Sequence, residues 1–412
     1  MAAPQIARNF ANMNRHHLRR PRTLTGLVAA AVVALALAPV STASAQQHRP
    51  PRPTGPDRPA TQAALEDLVA SGTPGVVAGV GLGRGRSWYG TAGVADLERP
   101  RPRTPADHFR IGSITKTFTA VTLLKLEAEG SLSLDDSVEK WLPGVFVHSD
   151  YDGRSITLRQ LLNHTSGVFD ILKDQDFVSR YTGAAFLEHR YDSWTPDQLV
   201  KIATSHPPVF EPGDEWRYSN TDYLLAGMVI EAATGQSYAD VVESRLLRPL
   251  QLDETVVPGF SPTLPEPHAR AYSRLFVDSP EAKVYDVTEF NPSIAGAAGE
   301  IISTTHDLNR FFGALFGGRV LPSRQQGELL TGVDTGRGYA YGLGVRSYPL
   351  TCGVTVWGHD GDIFGSVTYA VSTEDGSHVL SLNTNDNWND DELARNVIKA
   401  DFCRSSARQG RP

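Results

Sequence analysis

Two apolar rhythms alternate along this chain, and their order suggests an architecture before any chemistry is considered. Residues Gln62 to Ser71 read as a first helix. Gly75–Gly83 and Arg86–Ala95 read as two strands joined by a Gly-Arg turn. From Ser113 the spacing becomes helical. Ile114, Phe118, Val121, Leu124 and Ala128 follow the i, i+3, i+4 rule, and Gly130 supplies a stop. Leu123 and Leu126 widen the apolar face, which predicts a helix buried nearly all round. Leu134–Leu142 is a short turn-helix unit, and helices are predicted at Thr157–Asn163, Thr195–Thr204, Thr221–Thr234 and Ser237–Leu247. Phe169 to His206 is otherwise irregular. Ile301–Phe316 reads as helical, then Tyr339–Arg346, Val354–Gly358, Ser366–Ser372 and His378–Asn383 as strands. Asp390–Phe402 closes the pattern as an amphipathic helix.

Strands at both ends with helices between predict an α+β domain over residues 62–404. A mainly antiparallel sheet would come from both termini, about 62–112 and 300–404, flanked by helices. A mostly helical insert would span about 130–299, and 405–412 would be a tail.

The first 45 residues read as a signal peptide, which predicts a secreted protein. Arg15, Arg19, Arg20 and Arg22 form a basic start, Leu24–Val40 an apolar stretch, and Ala43-Ser44-Ala45 a small-residue cleavage site. An uncleaved anchor is the alternative, but the apolar run is short for a span. The Arg19-Arg20 pair permits a twin-arginine signal. Residues 46–61, rich in Pro and Arg, predict a disordered leader. The 412-residue chain carries a net charge of −7; residues 1–45 hold five arginines and no acid, so the remainder carries −12. No basic patch offsets that balance, so nucleic acid and an anionic membrane surface are not expected partners.

The two cysteines are Cys352 and Cys403. In an exported chain they most simply form one disulfide, closing a loop of about 50 residues and contributing about 4 kcal/mol. Two reduced thiols are the alternative. No His-Glu-x-x-His, Gly-x-Gly-x-x-Gly or Gly-Lys pair occurs, so neither a metal nor a cofactor is expected.

Three short motifs carry candidate chemistry. In Ser113-x-x-Lys116, residues three apart on a helix share a face, which sets the serine hydroxyl beside the lysine amine. A serine needs a neighbour to take its proton, and a lysine whose pKa is lowered by burial can do so. Alone, Ser113 reads better as a plain helix N-cap than as a nucleophile. A second copy, Ser137-Val-Glu-Lys140, lies beside Trp141-Leu142-Pro143 and reads as a solvated turn. Tyr218-Ser219-Asn220, the only Tyr-x-Asn, sits on a loop between the Pro212-Gly213-Asp214 turn and an apolar helix. His359-Asp360-Gly361, the only His-x-Gly, falls at the end of a β-run, where glycine lets a ligand approach the backbone.

In this order, on helix, loop and strand, the motifs resemble the serine β-lactamase/DD-peptidase superfamily, the penicillin-recognising serine hydrolases. The resemblance runs from about Thr61 to Cys403 and is closest to the secreted actinomycete D-alanyl-D-alanine carboxypeptidase type. It rests also on Phe109-Arg110-Ile111-Gly112-Ser113, Asn163-His164-Thr165-Ser166-Gly167, Tyr341-Gly342-Leu343-Gly344-Val345-Arg346 and Trp357-Gly358-His359.

The resemblance implies roles. Ser113 is acylated, and Lys116 and Tyr218 share its proton, with the base left open between them. His359 keeps Tyr218 poised. The N–H groups of Ser113 and Asp362 form the oxyanion hole. Asn220 holds the substrate amide, Arg346 binds a terminal carboxylate, Gly361 and Asp360 lie along the substrate strand, and Phe177 lines the cleft wall. The cysteine pair falls where that enzyme type has its disulfide. Substrates would be small peptides or peptidoglycan stems, with β-lactams as acylating inhibitors. A D-amino-acid endopeptidase, aminopeptidase or esterase, a β-lactamase, and a non-catalytic penicillin-binding protein are the alternatives.

One departure matters. Matching enzymes carry threonines where this chain has Asp360 and Asp362. Asp360 is therefore expected to pair with Arg346 and weaken selection for a free carboxylate. An α/β-hydrolase is disfavoured because no Gly-x-Ser-x-Gly occurs; Gly235-Gln-Ser237 reads as a helix-to-helix turn capped by Ser237. Gly79-Val80-Gly81 reads as a strand under a close-packed helix, and the Asn163-His164-Thr165 sequon as part of a structural turn.

Overall fold

In a computed structural model, residues 54–403 are described, apart from 84, 278, 280 and 390. The predicted signal peptide, the first half of the leader and the tail lie outside the described residues. Eight strands form one antiparallel sheet: β1 (Gly75–Gly81), β2 (Ser87–Gly93), β3 (Val333–Asp334), β4 (Ala340–Tyr341), β5 (Arg346–Pro349), β6 (Thr355–Ile363), β7 (Ser366–Ser372) and β8 (Val379–Thr384). Their order is β2-β1-β8-β7-β6-β5-β4-β3. Every neighbour is a sequential hairpin partner except β1 and β8, whose antiparallel pairing, Val76 with Thr384 to Gly81 with Val379, joins the two ends of the domain. The sheet is thus built from both termini, as the two apolar rhythms imply.

Side chains alternate between its faces. Val76, Ala78 and Val80 point to a core shared with α1 (Pro59–Ala70) and the C-terminal helix, Asp391–Phe402. That core includes Leu65, Leu68, Val397 and Phe402. Val77 points to a larger core on the opposite face, shared with the helical region. There the helix Thr305–Phe316 crosses Gly79, where a Cβ would come within 2.9 Å of the Asn309 side chain, so the close packing expected of the glycine-rich strand is present.

The central helix, Thr115–Ala128 (α2), is buried at every position from Thr115 to Leu124. It lies against a second apolar helix, Asn220–Thr234 (α3).

Several boundaries differ from the sequence reading. The first helix starts at Pro59, which sits at N1 where its missing N–H costs nothing, and the buried Thr61 hydroxyl bonds Asp401. The predicted leader therefore ends inside the fold. Ile302–Ser303 pairs with Phe109–Arg110 instead of starting a helix, and Thr304 caps the helix that follows by accepting the Asp307 N–H. The irregular run contains a 3-10 turn at Ile171–Lys173 and two short helices, Gln175–Ser179 and Ala185–His189. Ser237 does cap a helix, but that helix passes into a π turn over Glu243–Leu247. Ser137 accepts the Lys140 N–H, and the Lys140 amine reaches Asp136 at the surface, in keeping with a solvated turn.

Cys352, in the β5–β6 loop, is bonded to Cys403 at the end of the C-terminal helix, across a separation of 51 residues.

Candidate active site

Ser113 does not open the α-helix itself. It sits in a 3-10 turn, Gly112–Ile114, that feeds into α2. Gly112 has φ +51°, a left-handed backbone that suits glycine. Facing this turn is Gly361, which lies inside the nine-residue β6 and not at the end of a strand. A Cβ on Gly361 would fall 1.9 Å from the Ile111 carbonyl oxygen and 2.8 Å from the Ser113 nitrogen. The glycine therefore admits the chain's own Ser113 turn, where the sequence suggested room for a ligand. A Cβ on Gly112 would likewise meet the Asp362 nitrogen at 2.9 Å. The two N–H groups expected to form an oxyanion hole are brought together by this pair of glycines.

Lys116 is fully buried. Its Nζ lies 3.0 Å from Ser113 Oγ, 2.8 Å from Asn220 Oδ1 and 2.8 Å from the Ala298 carbonyl. Burial pulls its pKa down to about 7, against the opposing pull of nearby carboxylates, Asp170 first. The orientation of the Asn220 amide is fixed because its Nδ2 donates to Asp170 Oδ1 at 3.1 Å. Asn220 Oδ1 and the Ala298 carbonyl can only accept. A neutral Lys116 therefore spends its two N–H bonds on them, and its lone pair faces the one partner able to donate, the Ser113 hydroxyl.

Tyr218 hydrogen-bonds the Ser113 side chain, and its ring centroid is 4.8 Å from Lys116 Nζ. Burial, more than any nearby charge, drives its phenol well above the usual value, so it rests protonated.

His359 differs from expectation. Its Nδ1 donates to the Asp360 carbonyl, so its Nε2 accepts, and Tyr341 OH lies 2.9 Å away. Both ring nitrogens are occupied, and the Tyr218 ring is 6.4 Å off, centroid to centroid. Burial lowers His359 to about 4, so it is neutral at ordinary pH. It reaches the Tyr218 surroundings through Tyr341, whose ring lies 6.2 Å from that of Tyr218.

Arg346 and Asp360 pair as the sequence predicts. Arg346 Nη2 is 2.7 Å from Asp360 Oδ1, which also accepts from Tyr348 OH at 2.8 Å. The guanidinium lies over the rings of Tyr339 and Tyr348, at 5.1 and 4.6 Å. Burial alone would raise Asp360, but Arg346 and His359 hold it below the usual carboxylate range. Asp362 behaves oppositely. Burial, then Asp391, pushes it up to about 8 against a hydrogen bond with Asn387.

A cleft opens in front of Ser113. Ile171, Leu172, Phe177, Tyr181, Phe276 and Phe364 supply apolar wall, and Asn220 and Asp362 polar points; no lysine or arginine is among the lining residues. Phe177 is thus on the wall, presented by Gln175–Ser179.

Sequence reasoning missed Asp170. Its Oδ1 accepts both the backbone N–H and the Nδ2 of Asn220, which places it at the start of α3. It lies in the irregular run, where periodicity carries no signal. It also missed the buried set beneath the site. His164 Nδ1 is 2.8 Å from Asp222 Oδ2, and Ser166 Oγ is 2.5 Å from Asp222 Oδ1. The Asn163-His164-Thr165-Ser166-Gly167 stretch was singled out only as a likeness. Asn163 itself accepts from the Thr165 hydroxyl at 2.7 Å, within the turn.

Known proteins share this arrangement. Residues 61–402 match the Beta-lactamase family. A D-stereospecific amidohydrolase from Streptomyces sp. superposes with a TM-score of 0.79 at 51% identity, over 85% of this chain and 99% of that one. The D-amino acid amidase of Ochrobactrum anthropi SV3, complexed with L-phenylalanine amide, gives 0.72 at 30% identity over 85% and 99%. Penicillin-binding protein 4* of Bacillus subtilis (strain 168) is 33% identical over 243 residues, 56% of this chain. The match spans only 49% of that relative's length. With a family match over most of its length and a mixed helix and antiparallel-sheet fold, the chain belongs to the β-lactamase/penicillin-binding protein superfamily of serine hydrolases.

Proposed function

We propose that this protein hydrolyses amides whose acyl half is a D-amino acid with an apolar or aromatic side chain, through an acyl-enzyme on Ser113. One observation carries the choice among activities of the superfamily. The arginine matching a carboxylate binder is already neutralised, at 2.7 Å, by Asp360. Among the described residues no lysine or arginine, Arg346 included, lines the cleft. A substrate with a free C-terminal carboxylate would bring an anion into a site without a free positive partner, whereas a neutral amide loses nothing there. The likeness to a D-stereospecific amidohydrolase of Streptomyces sp. and a D-amino acid amidase of Ochrobactrum anthropi SV3 supports the amide and its D configuration. The apolar walls suit the side chain.

Lys116 acts as the base. It meets the Ser113 proton with its lone pair, at a pKa of about 7, close to the value that serves proton transfer at neutral pH. Tyr218, protonated at rest, is placed to pass a proton to the departing nitrogen. Ser113 and Asp362 N–H groups take the oxyanion, a contribution of about 3 kcal/mol for each donor. The second hydrogen of Asn220 Nδ2 is left for a substrate carbonyl, because the first is held by Asp170.

The test compares kcat/KM for D-phenylalanine amide, L-phenylalanine amide and an acyl-D-Ala-D-Ala peptide, in the wild type and in Ser113→Ala. The D-amide is expected to lead, with all turnover lost in Ser113→Ala. A preference for the free-acid peptide of about a hundredfold, or about 2.7 kcal/mol in barrier, overturns the reading in favour of a carboxypeptidase.

A further inference from the structure

Beneath the nucleophile lies a titratable pair that the chemistry above does not use. His164 and Asp222 are both fully buried. His164 ends the short helix Leu158–Asn163 with φ +63°, and Asp222 stands in the first turn of α3. Two groups converge on His164 Nδ1: Asp222 Oδ2 at 2.8 Å and the backbone N–H of Ser219 at 3.3 Å. A backbone N–H can only donate, so Nδ1 is the acceptor and carries no proton. An ionised carboxylate 2.8 Å from that lone pair would set acceptor against acceptor.

The other carboxyl oxygen fits the same assignment. Ser166 Oγ accepts the Val168 N–H at 3.0 Å, so its own proton goes to Asp222 Oδ1. Oδ1 is then the carbonyl-like oxygen, and Oδ2 is the hydroxyl that donates to the histidine. The remaining His164 proton sits on Nε2, which has no hydrogen-bond partner and lies among the rings of Tyr218, Tyr341 and Tyr223, at centroid separations of 4.3, 4.8 and 5.3 Å.

We propose that Asp222 is a protonated carboxylic acid donating to a neutral His164, and that this uncharged pair is a positioning element that keeps negative charge away from Lys116. The inference rests on Lys116 serving as base at Ser113, and not on which amide is cleaved. The anion at the start of α3 is Asp170, which takes the Asn220 N–H, while among the described residues no backbone N–H donates to Asp222. Burial also pushes Asp222 well above its ordinary pKa, and pulls His164 well below its own.

The groups facing the pair are Lys116, Asp170, His359, Tyr151, Tyr218, Tyr223 and Tyr341. Asp360 also bears on Lys116. Were Asp222 ionised as well, three carboxylates would hold the lysine proton on, by about one unit or more for the added charge.

Asp222→Asn is the test, because its amide can donate to His164 and accept from Ser166 without charge. It is expected to keep most of kcat/KM and to leave the acidic limb of the pH profile in place. Asp222→Ala, which removes both bonds, is expected to lose activity. In the resting wild type, 15N-labelled histidine should show His164 as the Nε2–H tautomer across neutral pH. Infrared spectra should show a protonated-carboxyl stretch that Asp222→Asn lacks. A limb moved down by about one unit or more in Asp222→Asn, an Nδ1–H tautomer, or a missing carboxyl stretch overturns the proposal. The two spectroscopic readouts need no substrate, so their failure is distinct from failure of the proposed amide specificity.

Discussion

Replacing Lys116 by methionine separates what this lysine does for the reaction from what it costs the fold. The unfolded lysine titrates near 10.5 and the folded one at about 7. Between those values the unfolded chain binds a proton that the folded protein does not. Stability of the wild type therefore rises with pH across that window, and the benefit disappears as pH falls toward 7. Integrating one proton of difference from pH 7 to pH 9, with the folded group half-titrated at the lower end, gives about 2 kcal/mol. Lys116→Met lacks this term. It also leaves Asn220 Oδ1 and the Ala298 carbonyl without a donor, at about 1–3 kcal/mol each, but that cost does not depend on pH. Glu300 at about 8, Asp362 at about 8 and Asp386 at about 7 titrate in both proteins and cancel in the difference. Urea unfolding followed by circular dichroism at pH 7 and pH 9 supplies the measurement. The stability of wild type relative to Lys116→Met should grow by about 2 kcal/mol over that interval. A difference constant to within about 0.5 kcal/mol would show that the folded lysine keeps its proton, and the assignment of Lys116 as resting base would fall with it.

The same protonation sets the acidic limb of kcat/KM, which should fall as pH drops through about 7, since a protonated amine cannot take the serine proton. Asp360→Asn leaves an acceptor for Tyr348 but frees Arg346. The ratio of free-acid to amide turnover should then rise about 10- to 100-fold, the worth of a charge-assisted hydrogen bond, and an unchanged ratio would show that Arg346 does not face the substrate. Gly361→Ala forces a Cβ into the Ile111 carbonyl and should cut kcat by about a hundredfold or more through the displaced oxyanion donors, whereas near-normal turnover would mean the hole lies elsewhere. Cys352→Ser should lower unfolding free energy by about 4 kcal/mol, readable in urea, with activity at room temperature retained.

Much of this molecule could be read from the chain. The strands at either end and the helix after Ser113 follow from periodicity, because each has one face, or all of itself, in a core. The Arg346–Asp360 pair followed from the resemblance, which put both residues at one site, together with their opposite charges. What could not be read depends on contacts distant in sequence. Gly361 is glycine because of Ile111, about 250 residues away, and no local pattern carries that requirement. His359 bonds Tyr341 instead of Tyr218 because β4 lies two strands from β6 in the sheet, so the tyrosine is set by register. Asp170 stands on a loop shaped by short helices and capping bonds, where apolar spacing is silent. His164 and Asp222 could have been suspected from a buried histidine turn and an acid inside an apolar helix, yet only their separation of 2.8 Å makes them a pair.

The pairing of β1 with β8 has a consequence for biosynthesis. Strand β1 has to wait for β8 before that side of it is paired, and the turn bearing Ser113 has to wait for Gly361 before the Ser113 and Asp362 amides come together. Contacts this distant in sequence form late and slowly. On the proposed mechanism a nascent chain therefore stays inactive until β6 and β8 have been translated, and a product cut before Gly361 carries Ser113 and Lys116 without the strand that completes their site.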